Sequence, residues 1–170
     1  ERTERLVLVS SGGLGREVSP LLRGAAIPGI EHLVRLAAHP RSIDAIEDNG
    51  ERRAARGSGT ARYARAIARA LRPLQDEGSR KAFLQTLRAV IDVRGQKVSA
   101  RDRLYLLGPV PSMIVWGERD NTIPLAHGRE AHQEIPGSRF ETLPKAAHFP
   151  HLEDPEGLAA AVSYTHLRAH

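Results

Sequence analysis

Val115-Trp116-Gly117-Glu118-Arg119-Asp120-Asn121-Thr122-Ile123-Pro124 is followed, 28 residues after its aspartate, by His148 in Ala146-Ala147-His148-Phe149-Pro150-His151-Leu152-Glu153-Asp154-Pro155. Both segments begin where an apolar run ends. Ser112-Met113-Ile114-Val115-Trp116 reads as a strand, preceded by Pro109 and Pro111 and closed by Gly117, and Ser138 to Leu143 reads as another. Asp120 and His148 therefore stand just past the C-terminal ends of two strands, where open α/β sheets place their ligands. A carboxylate that fixes an imidazole's tautomer, and an imidazole that accepts a proton from a nucleophile, are two of the three parts of a catalytic triad. Their order along the chain is acid, then base.

Working outward, Ile123-Pro124 introduces a helix over about Leu125 to Ile135, since proline is tolerated in a first turn, and Pro136-Gly137 stops it. A final helix begins near Asp154-Pro155, an N-cap with proline at the first helical position. Toward the start, Arg5 to Val9 is a short continuous apolar strand of the buried, parallel type, ending in the loop Ser10-Ser11-Gly12-Gly13-Leu14-Gly15. Between the two regions, from Arg16 to about Gly108, the pattern turns helical, Ala-, Arg- and Leu-rich. It is punctuated by Pro28-Gly29, Pro40, Gly57-Ser58-Gly59 and Gly95, and reads as four or five helices. Tyr63, Ile67, Ala70, Leu71 and Leu74 form one packing stripe within it, and Phe83, Leu84, Leu87, Val90 and Ile91 form another.

Composition removes several classes of function. With no cysteine, disulfides, thiolate metal sites and a cysteine nucleophile are excluded. No apolar stretch approaches the roughly 20 residues that span a bilayer, and the expectation is a soluble, cytoplasmic chain without a membrane partner. The net charge of +5 invites a nucleic-acid reading. Against it, the arginines are scattered among acids at helical spacing, and three Phe, three Tyr and one Trp leave little to stack on bases, so no nucleic-acid partner is expected. His151 and Glu153 beside His148 give H-x-x-H with a nearby carboxylate, but in a loop rather than on one helix face, and no metal is expected. His127 and His132, five apart, do not share a helix face. Gly12-Gly13-Leu14-Gly15 after a strand has the look of a dinucleotide loop, yet the G-x-G-x-x-G spacing from Gly13 meets Val18, so no cofactor is expected either.

The segment 115 to 124, with His148 in Ala-His-Phe-Pro-His-Leu-Glu-Asp-Pro, resembles the α/β-hydrolase family over essentially residues 1 to 162. In that family the triad runs Ser, Asp or Glu, His along the chain, with the serine in a G-x-S-x-G elbow. The resemblance implies Asp120 as the acid and His148 as the general base. It implies a partial α/β-hydrolase fold: the last three parallel strands with flanking helices, from residues 1–15 and 109–162, plus an inserted α-helical cap over 16–108. It further implies Leu14 and Phe149 as residues lining the acyl pocket of a small-molecule substrate. The chain departs from the family in having no G-x-S-x-G; Ser10 and Ser11 follow Leu8 and Val9 where a glycine is needed. The elbow would lie upstream of Glu1, which reads as a truncated start, and the chain alone is expected to be inactive.

Ester hydrolysis is the default chemistry. The Ser-Ser-Gly-Gly-Leu-Gly loop and helical cap also resemble hydrolases that cleave carbon–carbon bonds in ring-fission products. Epoxide hydrolases and haloalkane dehalogenases share this half with an aspartate nucleophile. A pseudo-enzyme or a helical interaction module, in which Asp120 and His148 never meet, is the non-catalytic alternative, and Asp120 would then only begin the turn into the helix at Pro124. The ending Ser163 to His170 breaks the apolar periodicity of Leu158, Ala161 and Val162 and resembles a translated sequencing adapter, a non-native tail.

Overall fold

The computed structural model describes residues 3–56 and 60–167. The expected break at Gly57-Ser58-Gly59, and residues 168–170 of the expected tail, lie outside the described residues. Five strands occur there: β1 (Leu6–Val9), β2 (Ile91–Asp92), β3 (Gly95–Gln96), β4 (Ser112–Gly117) and β5 (Arg139–Leu143). The helices are α1 (Pro20–Ala25), α2 (Glu31–Ala37), α3 (Pro40–Ala54), α4 (Thr60–Leu71), α5 (Glu77–Val90), α6 (Leu125–Glu134), α7 (Pro150–Glu153) and α8 (Pro155–Leu167), with 3-10 turns at Arg72–Gln75 and Arg101–Leu107. They fall into two compact units: residues up to Val18 with Val98 onward, and Ser19–Lys97.

The first unit holds a parallel sheet in the order β1-β4-β5, with Val9 opposite Val115 and Trp116 opposite Thr142. All six residues of the central strand β4 are buried, because helices cover both faces and no position is left to water. Met113 and Val115 pack with Leu143 and Ala146 on one face, where Val7, Val9 and two residues of α8, Leu158 and Ala161, close over them. On the other face, Trp116 meets α6 and Phe140: a Cβ at Gly128 would stand 2.5 Å from the Trp116 ring, so only glycine lets α6 approach this closely. The indole Nε1 donates to the Ile123 carbonyl at 3.2 Å, which satisfies the one polar atom this burial would otherwise orphan. Full burial of Ile114 and Trp116 contributes about 2–3 kcal/mol each.

The second unit is helical apart from one hairpin. Ser19, His39 and Asp76 cap α1, α3 and α5, each accepting from a backbone amide of the first turn, and Pro20 and Pro40 occupy first helical positions. Gly29 takes a positive φ of 88° between α1 and α2, so the expected Pro28-Gly29 break falls between helices. Two expectations need correction. Residues 91–96, read as helical, form the antiparallel hairpin β2–β3, since Asp92 Oδ1 accepts from the Arg94 amide and Gly95 supplies a φ of 122°. In the packing stripes, Ala70 and Val90 are exposed, while Ala61, Ala64 and Ala68 are buried. Small side chains carry the contact of α4 with α3 because they let two helix backbones approach. No helix among the described residues is long and apolar enough to cross a membrane.

Candidate active site

The site begins with a backbone contact. A Cβ at Gly117, the last residue of β4, would lie 2.0 Å from the Ala147 carbonyl oxygen and 2.6 Å from that of Ala146. Glycine thus brings the end of β4 directly onto the loop that carries His148. Ladder-like bonds continue past the strand, with the Glu118 amide donating to Leu143 O at 3.1 Å and the Arg119 amide to Ala146 O at 3.1 Å. Two loops far apart in sequence are in this way fixed to each other before any side chain is considered.

Asp120 follows, its side chain fully buried. Its Oδ1 accepts from the amides of Thr122 at 2.8 Å and Ile123 at 3.0 Å, an Asx turn that leads into α6. Its Oδ2 lies 3.0 Å from Nδ1 of His148. A carboxylate only accepts, so in the neutral ring the proton sits on Nδ1 and the lone pair on Nε2. Burial of the charge is offset by these bonds, which are the stronger for having an ionised acceptor. The turn-forming role and the imidazole-orienting role therefore coexist on one residue, one oxygen each.

His148 keeps 20 % of its side chain exposed, so the ring is open to a reactant on one side. Phe149 packs edge-on against it, ring centroids 5.1 Å apart, and meets His151 on its other edge at 6.3 Å. Leu14 is buried, 2 % exposed, in the loop after β1. In that loop Ser10 adopts a φ of 43° and is buried, and Gly13 O accepts from the Ala100 amide.

Several other titratable residues of this unit are engaged away from this pair. His127 is buried in α6 with Nε2 2.7 Å from Glu17, and a Cβ at Gly15 would stand 2.3 Å from its ring, so the loop after β1 is seated on it. That hydrogen bond holds the Glu17 carboxyl below the usual range. His132 Nδ1 pairs with Ser138 Oγ, and its ring stacks on Phe140. Arg101 bridges Glu130 and Glu134 of α6, which raises its guanidinium further. Among the described residues no group of three or more His, Cys, Asp or Glu is placed to hold a metal ion. Glu153, read from the sequence only as a metal candidate, is instead buried, with its carboxylate on the amides of Ala147 and Phe149. An acid at the end of a one-turn helix that opens on Phe149-Pro150 is the signal that could have found it, as in a capping box.

Comparison with known proteins agrees with this architecture. Residues 3–161 match the alpha/beta hydrolase family. An uncharacterized protein of Mycobacterium tuberculosis is 36% identical over 155 residues, covering 89% of this chain and 45% of that protein. The meta-cleavage product hydrolase CumD of Pseudomonas fluorescens superimposes with a TM-score of 0.63 at 18% identity, over 100% of this chain and 58% of its own. An esterase of Thermogutta terrifontis does so at 0.60 and 19%, over 96% and 55%. These structural likenesses are of fold, and the chain spans about half the length of the relatives it matches.

Proposed function

The chain belongs to the α/β-hydrolase family, and from that premise we propose that it supplies the acid, Asp120, and the base, His148, of a Ser-Asp-His triad that hydrolyses a small hydrophobic substrate. The observation that carries this reading is the 3.0 Å bond from His148 Nδ1 to a buried Asp120 whose other oxygen is held by two amides. An imidazole so oriented presents a basic Nε2. The serine comes from the rest of the whole protein, because no G-x-S-x-G occurs in these 170 residues.

In the reaction Nε2 takes the serine proton as Oγ bonds to the carbonyl carbon, and Asp120 stabilises the imidazolium that forms. His148 then returns the proton to the leaving group as its bond to the carbonyl breaks, and water repeats the cycle to release the acid. Ester hydrolysis is the first chemistry to test. Carbon–carbon cleavage is the second, since a meta-cleavage product hydrolase and an esterase share the fold. Residues 16–108 act as the cap, and Leu14 and Phe149 line the acyl side.

The test uses the whole protein, assayed on p-nitrophenyl esters. His148→Ala is expected to lower kcat by about 10⁴–10⁶-fold. Undiminished turnover in that variant would sink the proposal. An aspartate in the elbow position would move the chemistry to epoxide or haloalkane substrates.

A further inference from the structure

We propose that Glu153 is the positioning residue for His148. The two oxygens of its carboxylate bond to the amides on either side of that histidine: Ala147 N donates to Oε2 at 2.8 Å and Phe149 N to Oε1 at 2.8 Å. Asp120 can set the ring's tautomer only if the backbone that carries the ring is itself held. The clamp fixes the peptide plane before Ala147 and the one before Phe149, and the Cα of His148 lies between them.

The placement argues against a plain helix cap. α7 is only four residues long, and its first residue, Pro150, has no amide hydrogen to satisfy. A cap for so short a helix can sit in water, yet Glu153 is 3 % exposed. Burying a carboxylate costs several kcal/mol unless strong bonds offset it. One of those bonds, to the N-cap amide of Phe149, is of the kind a cap makes; the other goes to Ala147, three residues before the first helical residue, which a cap does not require. Glutamine at this position keeps the shape but turns an NH₂ group toward one amide donor, so one of the two bonds is replaced by a repulsive contact.

The catalytic consequence rests on the triad proposed above: misplacing Nε2 by about 1 Å lowers kcat up to about 10²-fold, with KM little changed. The experiment is made on the whole protein. In proton NMR, the downfield Nδ1–H resonance of His148, assigned by its absence in His148→Gln, should vanish or broaden in Glu153→Gln while the rest of the spectrum keeps its dispersion. Ester turnover should show the fall in kcat alone. An intact resonance and intact kcat in folded Glu153→Gln overturn the inference.

Should that variant fail to fold, amide hydrogen exchange on the unmodified protein decides. The Ala147 and Phe149 amides should exchange at least about tenfold more slowly than the open-chain rate, and exchange at that rate overturns the clamp. The two proposals fail separately. If Asp120→Asn leaves ester turnover intact while Glu153→Gln removes the resonance, the triad falls and the positioning role stands. If Asp120→Asn abolishes turnover while Glu153→Gln changes neither readout, only the positioning role falls.

Discussion

Replacing Gly117 with alanine adds one methyl group where the end of β4 meets the loop that carries His148. The added Cβ would start 2.0 Å from the Ala147 carbonyl oxygen and 2.8 Å from the Ala146 carbonyl carbon. Real Cβ atoms do not come closer than 3.0 Å, so one segment must move by about 1 Å from the first contact alone. Both obstacles are backbone, and no rotamer change relieves them. Gly117 is not among the glycines with positive φ, so alanine meets no conformational penalty and the whole effect is steric. Overpacking of this kind costs about 3 kcal/mol, the upper end of its range, because the atoms involved cannot rotate away. For a chain of this size that lowers Tm by about 6–12 °C. A shift of about 1 Å would also carry the 3.0 Å bond between His148 and Asp120 past hydrogen-bond range. Thermal melts followed by circular dichroism, together with the downfield His148 resonance, read both effects. Gly137→Ala is the control: its φ of 72° strains alanine but nothing lies within 4 Å of the added atom, so it should cost about 1 kcal/mol and leave the resonance in place. A Gly117→Ala protein that melts within about 0.5 kcal/mol of the parent and keeps the resonance would refute the coupling of the two loops.

Two further outcomes follow from the structure. The hydrogen bond from His127 depresses the Glu17 carboxyl, so the native state binds that proton less readily than the unfolded chain. Its stabilising contribution is full above the ordinary glutamate value and is lost as pH falls through the depressed one. The Tm gap between the parent and Glu17→Gln should therefore be widest above about pH 5 and close on acidification; because Glu17 is 75% exposed, it should correspond to less than about 1 kcal/mol. A gap that widens on acidification would contradict the pairing. In the second unit, Gly24 sits inside α1 with nothing within 4 Å of where a methyl group would be added, and Gly24→Ala should stabilise by about 0.5–1 kcal/mol in urea unfolding. A loss of stability would show that α1 is not a regular helix there.

Period and punctuation made the sheet-bearing half legible. A short apolar run between Pro111 and Gly117 is too short for a helix and reads as a buried strand, and β4 is buried along its whole length. The residue just past its end then inherits the place where parallel sheets expose their chemistry. The helical half was less legible, because alanine hardly registers as apolar. The stripe of Tyr63, Ile67 and Leu71 is half-buried while Ala61, Ala64 and Ala68 lie within the contact. The hairpin at 91–96 depends on an Asx bond and one positive φ, neither of which has a period.

The site shows a different limit. Read as sequence, Asp120 posed a choice between a turn residue and a partner for His148, and in the structure one carboxylate makes both contacts. A carboxylate has two oxygens: Oδ1 closes the turn with the Thr122 and Ile123 amides, and Oδ2 is thereby aimed at the imidazole. The turn is what makes the aim reproducible, since a carboxylate free to rotate would spend part of its time bonded elsewhere. Glu153 repeats the logic on the other loop, with both oxygens given to the backbone around His148. Spacing can bring an acid near a histidine, but how the oxygens of one carboxylate are shared among donors is decided by backbone geometry, and only the folded chain displays it.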